Sequence, residues 1–575
     1  MKKIKFLLTM LVLLTGAFSC KKSFLDEKPL DSLSAENAFQ NSADFSASVN
    51  NMYRLLRSDL YTFNDNDVFD YTYRTDIAYN VSNASPNLVG EINPNSSIMS
   101  RQWTALYKII AEANTIIGRI PASQLTNSER TLFEARARFF RAYVYSRLAY
   151  LWGGVPLELK EVTAPKVDYV RATRHEVYVQ CIADLVYAAA NLPGITASSV
   201  KDGEVTNVAA NHLLAEVYIA DGQFANAVTA ATAAITSPGM ALMTARFGSR
   251  KTEVPGDVYW DLFRKGNQNR KSGSGNTESI WVIQIETDVP GGAAISTTGF
   301  ASGDGFSLER VHVPLVRDLT TLNGTTNVTA VLWPASNYSS GGRGVGFLAP
   351  SKYFQDSVYS SDPVNDIRNA NHNFVRRFLV TNPASPLYNT FIDYHNLPPG
   401  TKGTSGATLV SGVPSRALYC YQTKATEPGG HPANLYTLPA PYPNALKGGA
   451  GFTYQDQYLF RLAETYLLRA EAYLGAGNTG AAAADINVVR ARSNASPVLP
   501  GNVTIDYILD ERIRELGVEE KRMFTLMRLG KWYDRIIKCN PYYVPQALTK
   551  YNLWPIPTSE IERNRGAKLE QNPGY

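Results

Sequence analysis

The sequence predicts a mostly α-helical protein: a scaffold of tetratricopeptide-like helical hairpins that carries a large, irregular, loop-rich lobe with short β segments. Three observations predict it. Long runs with three- and four-residue apolar spacing occupy both ends of the chain. Ala215, Tyr218, Gly222 and Ala227 recur with the same separations as Ala470, Tyr473, Gly477 and Ala482, in the order of a helix-turn-helix repeat. Between the two copies lies a stretch rich in Gly, Pro, Asn and Ser without helical period.

In chain order, Lys2, Lys3 and Lys5 precede the apolar run Phe6 to Leu14, and small residues lead to Cys20. Residues 1–19 therefore read as an export signal. The apolar run is about half the ~20 residues a spanning helix needs, so a retained membrane helix is the weaker reading. Cys20, just past it, has the position of a lipidated thiol, with residues 20–31 as a tether. Residues 32–236 form the first helical part, with helices from near Trp103, from Ser128 to Trp152 and from Arg174 to Leu192. Gly153, Gly154 and Pro156 stop the second, and Pro193-Gly194 stops the third. Residues 237–452 form the irregular lobe, with β-like runs such as Ser279 to Gln284. Residues 453–575 return to helix and end in an extended tail.

Composition narrows the function. The 575 residues are 44% hydrophobic and 19% charged, which excludes both a disordered polyelectrolyte and a polytopic membrane protein. The net charge of +5 includes Lys2, Lys3 and Lys5, and about +2 remains without them. No basic stripe marks a nucleic-acid partner. Cys181, Cys420 and Cys539 are odd in number and lack metal spacing, so they read as buried inert thiols.

No HExxH, GxSxG or P-loop occurs, and the six histidines are scattered. His212 and Glu216, at i and i+4, read as a surface or capping pair. Asp65, Asp67 and Asp70 lack the Gly and distal Glu of a calcium loop and read as a solvated turn. Gly342 to Gly346 reads as a flexible turn rather than a dinucleotide loop. The sequence thus predicts no enzyme, no metal and no cofactor. Binding fits better: Tyr61, Phe69, Tyr71, Tyr73, Arg74, Asp76 and Tyr79 crowd one non-helical stretch. Aromatic faces stack on sugars or peptide side chains while polar groups fix orientation. The expected ligand residues are Tyr71, Tyr73, Arg74 and Asp76, with Trp333 and Tyr338 from the lobe.

Several segments together resemble a known family. They are Cys20 to Asp26; Trp103, Leu106-Tyr107 and Ala113-Asn114; Glu134 to Tyr143; Gly153 to Leu157; and Arg171-Ala172-Thr173 with Glu176 to Tyr178. Further on come Glu278 to Trp281, Arg461 to Leu467, Arg512 to Arg522, Pro555-Ile556-Pro557, and Gln571 to Tyr575. In order and breadth they are similar to the SusD/RagB family of outer-membrane nutrient-binding lipoproteins of Bacteroidetes. The resemblance implies a lipid-anchored protein on the outer face of the outer membrane. It would cap a SusC-like TonB-dependent transporter and deliver a glycan to it. A peptide ligand, or an adaptor without a small ligand, are the alternatives.

Overall fold

The structure, a computed structural model, describes residues 38–62, 66–289, 293, 295, 306–437 and 444–575. The signal segment, Cys20, the tether and Asp65 lie outside the described residues.

The long helices are α1 (Ser42–Leu55), α2 (Ser97–Arg119), α3 (Asn127–Trp152), α4 (Arg174–Asn191), α5 (Asn207–Ala220) and α6 (Phe224–Ile235). After the lobe come α7 (Leu462–Gly475), α8 (Thr479–Arg492), α9 (Ile505–Glu515), α10 (Arg522–Arg528) and α11 (Trp532–Cys539). Local sequence sets several of the starts. Thr126 with Glu129, and Thr173 with Glu176, form reciprocal capping boxes that satisfy the first free N–H groups of α3 and α4.

From α2 to α8 each helix packs on the next, and α6 meets α7 although the chain between them makes the whole lobe. The interrupted repeat is thereby continuous in space. Ala215, Ala227, Ala470 and Ala482 are fully buried, because small side chains let the helices approach closely. Gly222 (φ 75°) and Gly477 (φ 80°) make the turns in left-handed conformations that disfavour other residues. Arg469 also donates to Thr232 Oγ1 across the join, at 3.0 Å.

The extended tail closes the first hairpins. Trp152 stands edge-on to both Trp103 and Trp554, each 5.3 Å away, and its indole N–H donates to the Pro555 carbonyl at 2.8 Å.

Among the described residues, five two-stranded antiparallel pairs rather than one sheet lie within the lobe or tie it to the scaffold. β1 (Ala78–Asn80) pairs with β5 (Leu348–Pro350), β2 (Ser279–Ile283) with β10 (Gln457–Arg461), and β3 (Thr320–Asn323) with β4 (Thr326–Thr329). β6 (Phe374–Val375) pairs with β9 (Tyr421–Gln422), and β7 (Arg377–Leu379) with β8 (Phe391–Asp393). Its apolar core includes Phe354, Phe374, Phe378 and Tyr419, with Ile513 of α9 inserted.

Buried ion pairs weld lobe to scaffold. Arg461 reaches Glu278 (2.8 Å) and Glu519 (2.7 Å), and Arg492 reaches Glu278 (3.2 Å). Arg368 of the lobe reaches Glu511 (2.8 Å) and Glu515 (3.0 Å) of α9. A buried ion that loses its partner costs several kcal/mol, so these charges fix how the two parts meet.

Two expectations need correction. His212 and Glu216 are interior, not surface. His212 bonds Thr465 Oγ1 at 2.8 Å, and burial pushes its pKa down to about 3. Burial alone would raise the Glu216 pKa, but Arg147 and Arg528 hold it at about 2. Asp70 is likewise buried rather than solvated, and accepts from Arg101 at 2.6 Å. Cys181, Cys420 and Cys539 are buried free thiols.

Candidate ligand-binding site

The aromatic stretch between α1 and α2, helical over Leu56–Thr62 and Asn66–Tyr71 rather than non-helical as expected, is mainly a foundation. The Asp76 carboxylate accepts from Arg522 (2.8 and 2.7 Å) and Arg535 (2.9 Å), and all three side chains are fully buried. Burial would raise the Asp76 pKa, but the two guanidinium groups hold it at about 2. Arg74 is inward too: it donates to the Phe69 carbonyl (3.0 Å), pairs with Glu91 (3.4 Å), and its N–H meets the Tyr543 hydroxyl (3.2 Å). Tyr73 donates to Glu91 at 3.1 Å, and Tyr71 donates to Gln102 while packing on Phe524.

The expected ligand residues Tyr71, Tyr73, Arg74 and Asp76 are therefore core residues of this structure. A side chain with almost no accessible surface offers no face to a sugar. Their partners lie up to 469 residues away in the chain, so local sequence could not reveal the burial.

That foundation holds a different set at the surface. Tyr79 is half-buried and stacks on Tyr542 at 4.8 Å, with 28° between the rings. Phe69 meets Phe347 edge-on at 6.1 Å. The β1–β5 pairing joins this stretch to the lobe, and the Val81 N–H donates to the Phe347 carbonyl at 3.1 Å.

On the lobe side, residues 342–347 form an arch against the short helix Leu308–His312. Val345 N–H donates to Arg310 O (2.9 Å), Gly346 N–H to Val313 O (2.9 Å), and Leu315 N–H to Arg416 O (2.9 Å). The flexible turn expected here is instead close-packed. A Cβ on Gly346 (φ 72°) would run into the Arg416 carbonyl, and one on Gly342 (φ 68°) into the Glu309 carboxylate.

Beneath the arch, Glu309 accepts the Arg343 N–H at 2.8 Å and lies 3.1 Å from His431 Nε2. His431 Nδ1 lies 2.7 Å from Ser336 Oγ. The segment that carries Trp333 and Tyr338 is thus pinned from inside.

Trp333 and Tyr338 are both half-buried. The Arg317 and Arg343 guanidinium groups lie 5.4 and 5.7 Å from the Trp333 ring. Tyr338 packs edge-on to Trp260 at 6.3 Å, and its carbonyl accepts from the Tyr421 hydroxyl. Arg310 and Arg416 each lie 5.6 Å from the Phe347 ring.

Trp333, Phe347, Tyr79 and Tyr542 are half-buried aromatic rings carried by segments that the β1–β5 pairing and the 342–347 arch join where lobe meets scaffold, with guanidinium groups around the first two and the last two stacked on each other. Such a surface can stack flat apolar faces and hydrogen-bond their edges. Sequence reasoning missed Phe347, Tyr542 and the four arginines, which sit at no common spacing. Among the described residues, no group of three His, Cys, Asp or Glu side chains could hold a metal.

Two hollows lie elsewhere on the scaffold. One, of about 470 Å³, is lined by Trp103, Tyr107 and Tyr169; the other, of about 490 Å³, by Tyr53, Trp281 and Gln284. Around the first, Glu158 is paired with Lys166 (2.6 Å) and Glu161 with Arg119 (2.9 Å), so these rim charges are already satisfied.

This architecture, a helical-repeat scaffold carrying a loop-built lobe with an aromatic seam, is that of a binding protein of the SusD type. The chain belongs to the SusD family: the family profile matches residues 277–575, and a second profile, described as starch-binding and associating with the outer membrane, matches residues 23–219. SusD-like protein P2 of Formosa agariphila is 24% identical over 599 aligned positions, spanning all of both chains. The starch-binding protein SusD of Bacteroides thetaiotaomicron is 39% identical over 124 residues, 21% of this chain and 22% of that one. Among solved structures, a laminarin-binding SusD-like protein has the same fold. Its TM-score is 0.63 at 22% identity, covering 93% of this chain and all of the other. The surface glycan-binding protein A of B. thetaiotaomicron, solved with laminarihexaose, also has a TM-score of 0.63. Its identity is 19%, over 92% of this chain and 99% of the other.

Proposed function

We propose that this protein captures a nutrient glycan at the seam and delivers it to a SusC-like TonB-dependent barrel. In this reading it is held by acyl chains on Cys20 at the outer face of the outer membrane. The observation that carries the reading is the set of half-buried rings Trp333, Phe347, Tyr79 and Tyr542 on joined segments of lobe and scaffold, in a family whose relatives bind starch or laminarin. The protein performs no chemistry here; binding, orientation and handover are its work. A lipid anchor keeps captured ligand near the barrel, which raises its effective concentration there. Tyr338 is assigned to the same surface.

Calorimetric titration of the full chain against plant, host and microbial polysaccharides, with oligopeptides alongside, tests the reading. Saturable binding of a glycan that Trp333→Ala weakens supports it. Binding of peptides alone would move the assignment to peptide uptake, and silence throughout would favour an adaptor role. Co-purification of a barrel protein with the tagged chain, lost on Cys20→Ser only in its membrane attachment, tests the partnership and the anchor.

A further inference from the structure

Three buried side chains that can change charge stand beneath the arch, and we propose that Glu309, Glu427 and His431 form a pH-operated latch: it holds residues 335–346 closed in mild acid and loosens them as pH rises through neutrality. The latch sets how firmly the neighbouring Trp333 is presented and does not depend on what the seam binds.

The three side chains are 2%, 3% and 6% exposed. They come from the short helix Leu308–His312 and from the turn 427–431, and they grip the overlying segment at two points. Glu309 accepts the Arg343 N–H at 2.8 Å and the Glu427 N–H at 3.3 Å, and lies 3.1 Å from His431 Nε2. His431 Nδ1 lies 2.7 Å from Ser336 Oγ, which also accepts from the Gly429 N–H (2.8 Å) and the Tyr436 hydroxyl (3.1 Å).

Glu427 is poorly placed to be an anion. One of its carboxyl oxygens accepts the Tyr454 N–H, while Oε2 is buried and has no hydrogen-bond partner among the described residues. A buried carboxylate with an unmet oxygen and a second carboxylate close by is costly, and the neutral acid is much less so. Burial, with Glu309 near, accordingly pushes the Glu427 carboxyl up to about 7. Burial by itself would lower the His431 pKa, but Glu309 and then Glu427 raise it above the ordinary 6.5.

In mild acid the cluster therefore holds an imidazolium beside Glu309, with Glu427 neutral. As pH rises, Glu427 ionises and His431 loses its proton, which leaves two carboxylates in one buried space without their cation. Both folded pKa values lie above the ordinary ones. The stabilisation is therefore full below about pH 4.5 and is lost as pH rises through about 7, with His431 extending the loss above about 6.5.

The other charges around the cluster do not replace that cation. Lys265 acts on both groups but is exposed. Arg264 donates to the Trp260 and Thr423 carbonyls, Lys424 to those of Glu515 and Leu516, and Arg250 to that of Pro428 while it pairs with Glu253. The Arg343 guanidinium lies toward Trp333. Tyr436 and Tyr454 stand edge-on to His431 at 6.5 and 6.2 Å, Tyr421 faces Glu309, and burial raises the Tyr421 and Tyr454 phenols.

The test is hydrogen exchange of the full chain, read by mass spectrometry and corrected for the intrinsic rate, at about pH 5 and about pH 8. The reporters are the Ser336 N–H, bonded to Asn444 O at 2.8 Å, and the Gly342 N–H, bonded to Ala335 O at 2.9 Å, with α3 as internal control. One proton released on opening changes the opening equilibrium tenfold per pH unit. Protection over residues 335–346 is therefore expected to fall about tenfold or more from the lower to the higher pH while that of α3 holds. Glu427→Gln, neutral at every pH, is expected to keep the low-pH protection at high pH. Ser336→Ala cuts the bond from His431 to the segment and is expected to leave residues 335–338 weakly protected at both values.

Equal protection at the two pH values, a fall shared by α3, or a fall that Glu427→Gln leaves in place would each overturn the latch. If Glu427→Gln does not fold, Ser336→Ala decides: persistence of the full pH-dependent fall over residues 335–338 overturns the latch, and its disappearance supports it.

Discussion

Two aromatic-rich segments with nearly the same vocabulary, residues 71–76 and residues 333–347, have opposite fates. In the first, Tyr71, Tyr73, Arg74 and Asp76 turn inward and bond to Gln102, Glu91, Arg522 and Arg535. In the second, Trp333, Tyr338 and Phe347 remain half-exposed, with arginines around Trp333 and Phe347. The difference lies in what the rest of the chain brings. Helices α10 and α11 supply two cations that draw Asp76 into the core, whereas Glu309 and His431 bind only the inner side of the 333–347 segment. Aromatic and charged residues together in a loop therefore specify a ligand face only where no distant element arrives to cover them.

The strongest way to break this comparison is to remove the anion of the buried segment. Asp76→Ala leaves Arg522 and Arg535 short of a partner and is expected to destabilise the fold by about 3 kcal/mol, read by urea unfolding. If stability is unchanged, the foundation role is wrong. The same carboxylate gives a pH signature. Its folded pKa of about 2 lies below its ordinary 3.8, so its contribution is fully present above about pH 4 and is lost as pH falls toward 2. The loss amounts to about 2 kcal/mol at most, and Asp76→Asn should flatten that part of the stability profile.

On the other segment, Gly346→Ala meets both a left-handed backbone and the Arg416 carbonyl, and is expected to cost about 2 kcal/mol and to weaken ligand binding with it. Differential scanning calorimetry beside a binding isotherm would show both or refute the close packing. Trp333→Ala is expected to lower affinity about tenfold while the melting temperature stays nearly constant, since its ring is only half-buried. Tyr71→Phe should do the reverse. It leaves the Gln102 acceptor without its partner and costs about 1 kcal/mol of stability, with glycan affinity unchanged. A loss of affinity in Tyr71→Phe with stability intact would return that residue to the ligand face.

Much of the scaffold was legible in the sequence because its signals are local. The apolar spacing of α3 and α4, the Thr-x-x-Glu caps at Thr126 and Thr173, and the glycines at 222 and 477 each act within one or two turns of chain. The arch at 342–347 was misread because glycine marks two opposite situations, freedom to move and close approach of other backbone, and only the neighbouring Arg416 and Glu309 tell them apart. His212 and Glu216 were misread for a related reason: Thr465 of α7 and Arg528 of α10 bury them, and both come from the far side of the lobe.

The sequence by itself determined the helical-repeat scaffold, the place of the irregular insert between the two repeat copies, and the family. These follow from periodicity, turn chemistry and ordered motifs, all short-range along the chain. The tertiary structure alone decided that α6 packs on α7 across the lobe, that Asp76 is a buried anion between Arg522 and Arg535, and that Tyr79 and Tyr542 share one seam with Trp333 and Phe347. Each depends on contacts between residues hundreds of positions apart. Which side chains such contacts desolvate, and which they leave at the surface, is a property of the packed molecule rather than of any segment.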